Sequence, residues 1–190
     1  MTGRPLPYLG HKLGAMALLM LGRRRAAVSA FGAMLERWPD DAYALASRAH
    51  LLAQAGDDAR ALADAERLVA LHPERKAADW FNVGFLREKL ERPADAEAAF
   101  RRAVALDPKL DRAWYGLGLS LIRQGRLDDA AAALKRNTEL QPMSPFGWYQ
   151  LARVHADRRE PEKARRIIDH LQGFEPKVAA QLQRETGLAP

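Results

Sequence analysis

The sequence predicts an all-α solenoid of tandem helix–turn–helix repeats, and three observations predict it. Trp80, Trp114 and Trp148 stand 34 residues apart. Pro108, Pro142 and Pro176 keep the same step, each 28 residues after one of those tryptophans. Small residues recur in register with both: Gly84, Gly118 and Ala152 early in each unit, Ala96, Ala130 and Ala164 later. A fixed period of this length marks an array of supersecondary units, none of which can bury its apolar face alone. Stacked units of this kind form a concave face able to hold another molecule.

Extending the frame in both directions gives five repeats, 8–41, 42–76, 77–110, 111–144 and 145–178, within one array over 1–190. One residue is inserted before the third repeat. The first repeat carries Ala15, Gly22, Ala27, Phe31 and Met34 before Pro39, and the second Leu45, Ala49, Gly56, Ala61 and Leu68 before Pro73. The third runs from Trp80 through Gly84, Ala96, Phe100 and Ala103 to Pro108. The fourth runs from Trp114 through Gly118, Ala130, Leu134 and Asn137 to Pro142, and the fifth from Trp148 through Ala152, Ala164, Ile168 and Leu171 to Pro176. Residues 177–186 read as a capping helix with Val178, Ala179 and Leu182 on one side, which would cover the apolar end of the stack.

Each recurrent position has a physical reason. The small residues let the two helices of a pair approach closely, and larger ones would overpack the contact. Phe31, Phe100, Leu134 and Ile168 fill the space around it. The prolines stop the second helix through a missing N–H and a fixed φ. Gly22, Gly56 and Gly125 fall where the chain must turn between helices. Arg48 and Ala65 depart from this pattern at places that call for large apolar groups, which predicts a weakened second repeat. Asn137 stands at a helix contact and needs a hydrogen-bond partner there.

Trp80-Phe81-Asn82-Val83-Gly84, Trp114-Tyr115-Gly116-Leu117-Gly118 and Trp148-Tyr149-Gln150-Leu151-Ala152 each precede the alanine, the large apolar residue and the proline at set distances. These segments resemble the tetratricopeptide repeat, whose pattern runs W-x2-L-G-x2-Y, then A-x3-F, then P. The resemblance covers about nine-tenths of the chain. It implies a right-handed α-solenoid with a C-terminal capping helix, and a protein that binds other proteins rather than transforming substrates. The matching positions are packing positions, so they speak for fold more than for function.

The resemblance also implies a groove lined by the first helix of each repeat. Carried onto this sequence, its partner-binding residues are Tyr43, His50, Phe81, Asn82, Phe85, Arg112, Tyr115, Phe146, Tyr149 and Arg153. Spacing supports the set independently, because Phe81/Phe85 and Phe146/Tyr149/Arg153 each share a helical face. Aromatic anchors mixed with Arg, Asn and Gln suit recognition, although aromatics at this spacing also suit packing against the neighbouring repeat. Some family members grip a peptide carboxylate with Lys, Asn and Arg at set groove positions. Asn82 and Arg112 match two of these, whereas Ala46, His50 and Gly116 depart from the other three. A full clamp is therefore not expected, only a grip on a backbone carbonyl or an acidic side chain. In the first helix, Leu9, Leu13, Met16 and Met20 leave the corresponding face aliphatic, which suits self-association or partner docking.

Composition narrows the remaining classes. An apolar fraction of 48%, rich in alanine, suits close helix packing. The absence of cysteine excludes disulfides, thiolate metal sites and thiol nucleophiles. The net charge of +6 is concentrated in residues 1–38, where six Lys/Arg face Glu36 alone. The apolar run from Leu13 to Leu21 invites a targeting reading, but Arg23, Arg24 and Arg25 directly follow it, where a signal peptide seldom places positive charge. Nine apolar residues are too few to span a bilayer. A cytoplasmic protein, not inserted in a membrane, is the expectation. The Arg23–Arg25 run lacks interleaved aromatics and reads as a solvated corner more readily than a nucleic-acid site. Five histidines show no paired metal spacing, no phosphate-binding loop is present, and the acidic residues are scattered. Neither an enzyme nor a cofactor or metal is expected. The sequence thus predicts a scaffold that binds a protein or peptide, one carrying acidic groups. The alternatives are a homo-oligomer built through the first helix and a bacterial secretion-type chaperone.

Overall fold

The computed structural model describes residues 6–188. These residues form eleven α-helices and no strand. In chain order they are α1 (Leu6–Met20), α2 (Arg24–Arg37), α3 (Ala42–Gln54), α4 (Asp58–Leu71), α5 (Ala77–Lys89), α6 (Pro93–Leu106), α7 (Asp111–Arg123), α8 (Leu127–Leu140), α9 (Pro145–Asp157), α10 (Pro161–Gln172) and α11 (Pro176–Thr186). They fall into two compact units that divide between Leu90 and Glu91. Arg4, counted in the N-terminal charge, lies outside the described residues.

In the N-terminal unit each helix packs on the next from α1 to α5. Ala15 and Ala27 are fully buried beside Phe31, Met34, Ala44 and Leu45 in one continuous core. In the C-terminal unit α6 to α11 pack in the same sequential way, and α11 also rests on α9. The small residues in this unit are small for a geometric reason. A Cβ on Gly118 would come within 2.6 Å of the Leu134 side chain, and one on Gly116 within 2.6 Å of the Phe100 ring. Gly116 and Gly118 therefore serve packing inside α7.

The linked recurrence of tryptophan and proline has a direct cause. The indole N–H of Trp80 donates to the Pro73 carbonyl (2.7 Å), that of Trp114 to Pro108 (3.0 Å) and that of Trp148 to Pro142 (2.8 Å). Each bond satisfies a carbonyl just past a helix end, where the ladder offers no donor. Pro39, Pro73, Pro108 and Pro142 all lie two residues beyond their helices. Pro176 behaves differently. The helix before it ends at Gln172, and Pro176 occupies the first turn of α11, where its missing N–H costs nothing.

The turn between the helices of each pair carries one residue with positive φ. Gly22, Gly56 and Gly125 fill it in three repeats, at 70°, 81° and 73°, whereas Glu91 (58°) and Arg159 (59°) fill it in the others.

Both departures in the second repeat find a physical account. Arg48 is not an orphaned charge in an apolar slot. Its Nε and Nη2 donate to the two carboxylate oxygens of buried Asp64, each at 2.7 Å. That hydrogen bond raises the Arg48 pKa further, against the lowering effect of burial. Ala65 leaves space instead, described below. Asn137 finds its partner, as Nδ2 donates to the Asp111 carbonyl at 2.9 Å.

Candidate functional site

In the N-terminal unit the candidate residues lie on α1, α3 and α5. Leu9, Leu13, Met16 and Met20 are all exposed on α1, and so is Leu6. The steps 6, 9, 13, 16 and 20 keep them on one stripe of the helix, while Tyr8 and Ala15 on the other side are buried. Tyr43 on α3 is half-buried. Its ring meets core Phe31 edge-on, and the Lys12 ammonium lies 4.3 Å over it. His50 is exposed and accepts from the Gln54 amide at 3.0 Å. On α5 the Phe81 and Phe85 rings stack at 6.2 Å, with Phe85 and Asn82 exposed.

Between these helices lies a cleft of about 310 Å³. Ala46, Ala49 and Ala53 of α3 and Ala65 of α4 wall it, with Leu68 and Leu86 among its apolar lining. His50, Gln54, Asn82, Phe85 and Lys89 also border it. Lys89 is anchored to Asp58 at 2.7 Å and Arg87 to Glu66 at 2.8 Å, so ion pairs tie α5 to α4 beside the cleft. A second hollow adjoins it and carries Lys12, Tyr43, Ser47, Arg75 and Lys76. His50, Asn82 and Phe85 were legible from their groove positions and Ala46 as a departure at one, but Ala49 read only as a packing residue and Ala53 carried no signal. Ala65 was visible as a departure, and that departure marks a hollow.

In the C-terminal unit Arg112 and Tyr115 lie on α7, with Arg112 exposed and Tyr115 half-buried. Phe146, Tyr149 and Arg153 lie on α9, where Phe146 is 69% exposed. Tyr149 is engaged within the chain. Its hydroxyl donates to the Glu185 carboxylate of α11 at 2.6 Å, and the Arg153 guanidinium lies 5.8 Å over its ring. Hydrogen bonding to Glu185, then burial, raise the Tyr149 pKa. Hydrogen bonds from Tyr149 and then Gln181 lower that of Glu185. Phe146, Tyr149, Val178 and Gln181 line a hollow of about 270 Å³. The part played by α11 was not legible beforehand, since Gln181 and Glu185 belong to no groove position.

A further polar cluster joins α6, α7 and α8. Buried Glu97 accepts from Arg101 at 2.8 Å, Gln124 at 2.9 Å and Arg126 at 2.8 and 2.9 Å. Burial pushes its pKa up, but the three hydrogen bonds prevail and hold it below the usual value. Arg126 also pairs with Asp129. Every group in this cluster is partnered, so it reads as a brace.

Among the described residues no group of three or more His, Asp or Glu could hold a metal ion, and no helix is long and apolar enough to cross a membrane.

The family model described as tetratricopeptide repeat matches residues 13–82, 86–145 and 120–177. No match was found among curated proteins. Several solved structures share the fold. YrrB, described as a TPR protein with an unusual peptide-binding site, is 21% identical with a TM-score of 0.83, over 95% of this chain and 92% of its own. MamA from Desulfovibrio magneticus RS-1 is 18% identical with a TM-score of 0.82, over 92% of this chain and 98% of its own. PilW, described as a widely conserved type IV pilus biogenesis factor, is 23% identical with a TM-score of 0.72, over 98% and 89%.

Proposed function

The chain belongs to the tetratricopeptide repeat family, and from that premise we propose that it is a non-catalytic module holding an extended or helical segment of a partner protein on its first-helix faces. One observation carries this reading. On α5 exposed Phe85 stands one turn from exposed Asn82, and on α9 exposed Arg153 lies over the half-buried Tyr149 ring, while the small residues of the same helices, Gly84 and Ala152, are buried. Aromatics supply the energy of such contacts and hydrogen-bond donors fix their register. The peptide-binding site in the description of YrrB supports the same class of partner. The array of five repeats, with residues 77–110 as the third, is part of this reading. So is a cytoplasmic location, which the Arg23–Arg25 run favours.

The test compares two charge reversals against a peptide selected on the protein. Arg112→Glu should cost about 2–5 kcal/mol of affinity by turning attraction into repulsion. Arg24→Glu, outside the first helices, should leave binding nearly intact. If both weaken binding equally and moderate salt abolishes it, the interaction is diffuse and the reading fails.

The exposed stripe of α1 favours a second reading, a homotypic scaffold. Burying Leu9, Leu13, Met16 and Met20 would contribute on the order of 6–12 kcal/mol before association costs. Light scattering decides it: Leu13→Glu combined with Met16→Glu should lower the mass in solution, and an unchanged mass sinks the idea.

A further inference from the structure

We propose that the alanine-walled cleft of the N-terminal unit is an anchor site for one large apolar side chain of a partner peptide, with a carboxylate of the same peptide seated beside Lys12 and Lys76. This rests on the first-helix faces being peptide-binding surfaces, and it names what one of them takes.

The argument begins at Ala65. Four repeats place Phe31, Phe100, Leu134 or Ile168 at its register position, none more than 2% exposed. Phe31 meets Tyr43 of the following helix, the Phe100 ring lies against Gly116 of the following helix, and Leu134 lies against Gly118 of its own pair. The second repeat omits such a plug, and Ala46, Ala49 and Ala53 add nothing to replace it. An apolar hole of roughly 150 Å³ takes a benzene molecule. The cleft, at about 310 Å³, accommodates a leucine, methionine or phenylalanine side chain with its backbone at the mouth. Interior surfaces are normally close-packed, so an apolar opening of this size between packed helices has an occupant to gain.

The second element is charge. The adjoining hollow shares Ala46, His50 and Asp79 with the cleft and carries Lys12 and Lys76. Asp79 does not neutralise these lysines, because Arg75 already holds both its oxygens at 2.8 and 2.7 Å. Arg75 is thereby spent as well. Neither Lys12 nor Lys76 pairs with a carboxylate among the described residues. A peptide crossing from cleft to hollow therefore gains most if it carries an acidic group next to its apolar anchor.

The experiment pans a random-peptide display library on the whole protein, then titrates the enriched peptide, synthesised and labelled, against variants. Enriched sequences should pair Leu, Met or Phe with a nearby Asp or Glu. Ala65→Phe, which restores the plug, should weaken binding by about tenfold or more without lowering the melting temperature. Ala53→Leu fills the cleft from its half-buried mouth and should do the same, even if Ala65→Phe packs poorly. Lys12→Glu with Lys76→Glu should weaken binding and abolish the acidic preference. Retained binding in both filled variants, with loss on Tyr115→Ala or Phe146→Ala, overturns the cleft and leaves the broader reading standing. A selection that enriches nothing, or a peptide indifferent to every first-helix variant, overturns both.

Discussion

The helix pair α3–α4 and the pair α7–α8 are built on one pattern and differ at its centre. In α8 Leu134 is fully buried and presses on Gly118, leaving no room even for a Cβ. In α4 the corresponding Ala65 leaves an opening, and the polar neighbour Asp64 is held by Arg48. One pair has spent its space on packing, and the other has kept it. The difference teaches that a departure from a repeat pattern is not necessarily a loss of stability. Whether it weakens the fold depends on what the neighbouring side chains do around it.

The largest expected effect breaks the comparison directly. Phe100→Ala should destabilise by about 3–5 kcal/mol and Leu134→Ala by about 2–5 kcal/mol, as each opens a cavity in a filled site. Ala65→Phe should cost nothing or stabilise. Denaturant titration of the three variants checks this. If Ala65→Phe is as damaging as the truncations, the second repeat has closed around its alanine and the contrast is false.

Next comes the ion pair. Arg48→Met should cost about 1–3 kcal/mol, because Asp64 then keeps its burial and loses both hydrogen bonds. Arg48 is itself partly exposed, which keeps the figure below that of a fully buried pair. Replacing both, with Arg48→Met and Asp64→Leu, should recover most of the loss. Failure to recover would mean that the pair does more than satisfy itself.

The filled region should also be the acid-sensitive one. Glu97 has a depressed pKa in the folded chain. Its contribution is therefore complete above the ordinary carboxylate range and is lost as pH falls through the lower folded value. The melting temperature of Glu97→Gln should trail the native protein at neutral pH and converge with it in acid. A constant gap across the range would show that the brace acts by shape and not by charge.

Much of this was legible in advance, for reasons that differ by residue. The period of 34 is written in Trp80, Trp114 and Trp148 because each indole must reach a carbonyl of the preceding repeat. Asn137 announced its need of a partner because a polar group at a helix contact has few alternatives. Arg48 and Ala65 were visible only as misfits. Their resolution depends on Asp64 and on space, and neither follows from spacing along one helix. Glu185 was hidden for a related reason: its partner Tyr149 is 36 residues away.

The smallest effect concerns the five turns. Glu91 and Arg159 hold φ values of 58° and 59° at places where Gly22, Gly56 and Gly125 sit in the other repeats. A left-handed conformation costs an L-residue about 1–2 kcal/mol, and glycine removes that cost. Glycine also loses more freedom on folding, which returns about 0.4–1 kcal/mol to the unfolded side. The balance predicts that Glu91→Gly and Arg159→Gly each stabilise by about 0.5–1 kcal/mol. Glu91 is exposed and borders the boundary between the two compact units, whereas Arg159 lies within one. If strain is purely local, the two substitutions should give equal gains in a melting experiment. A clearly smaller gain at Glu91 would mean that its side chain contributes locally something glycine cannot.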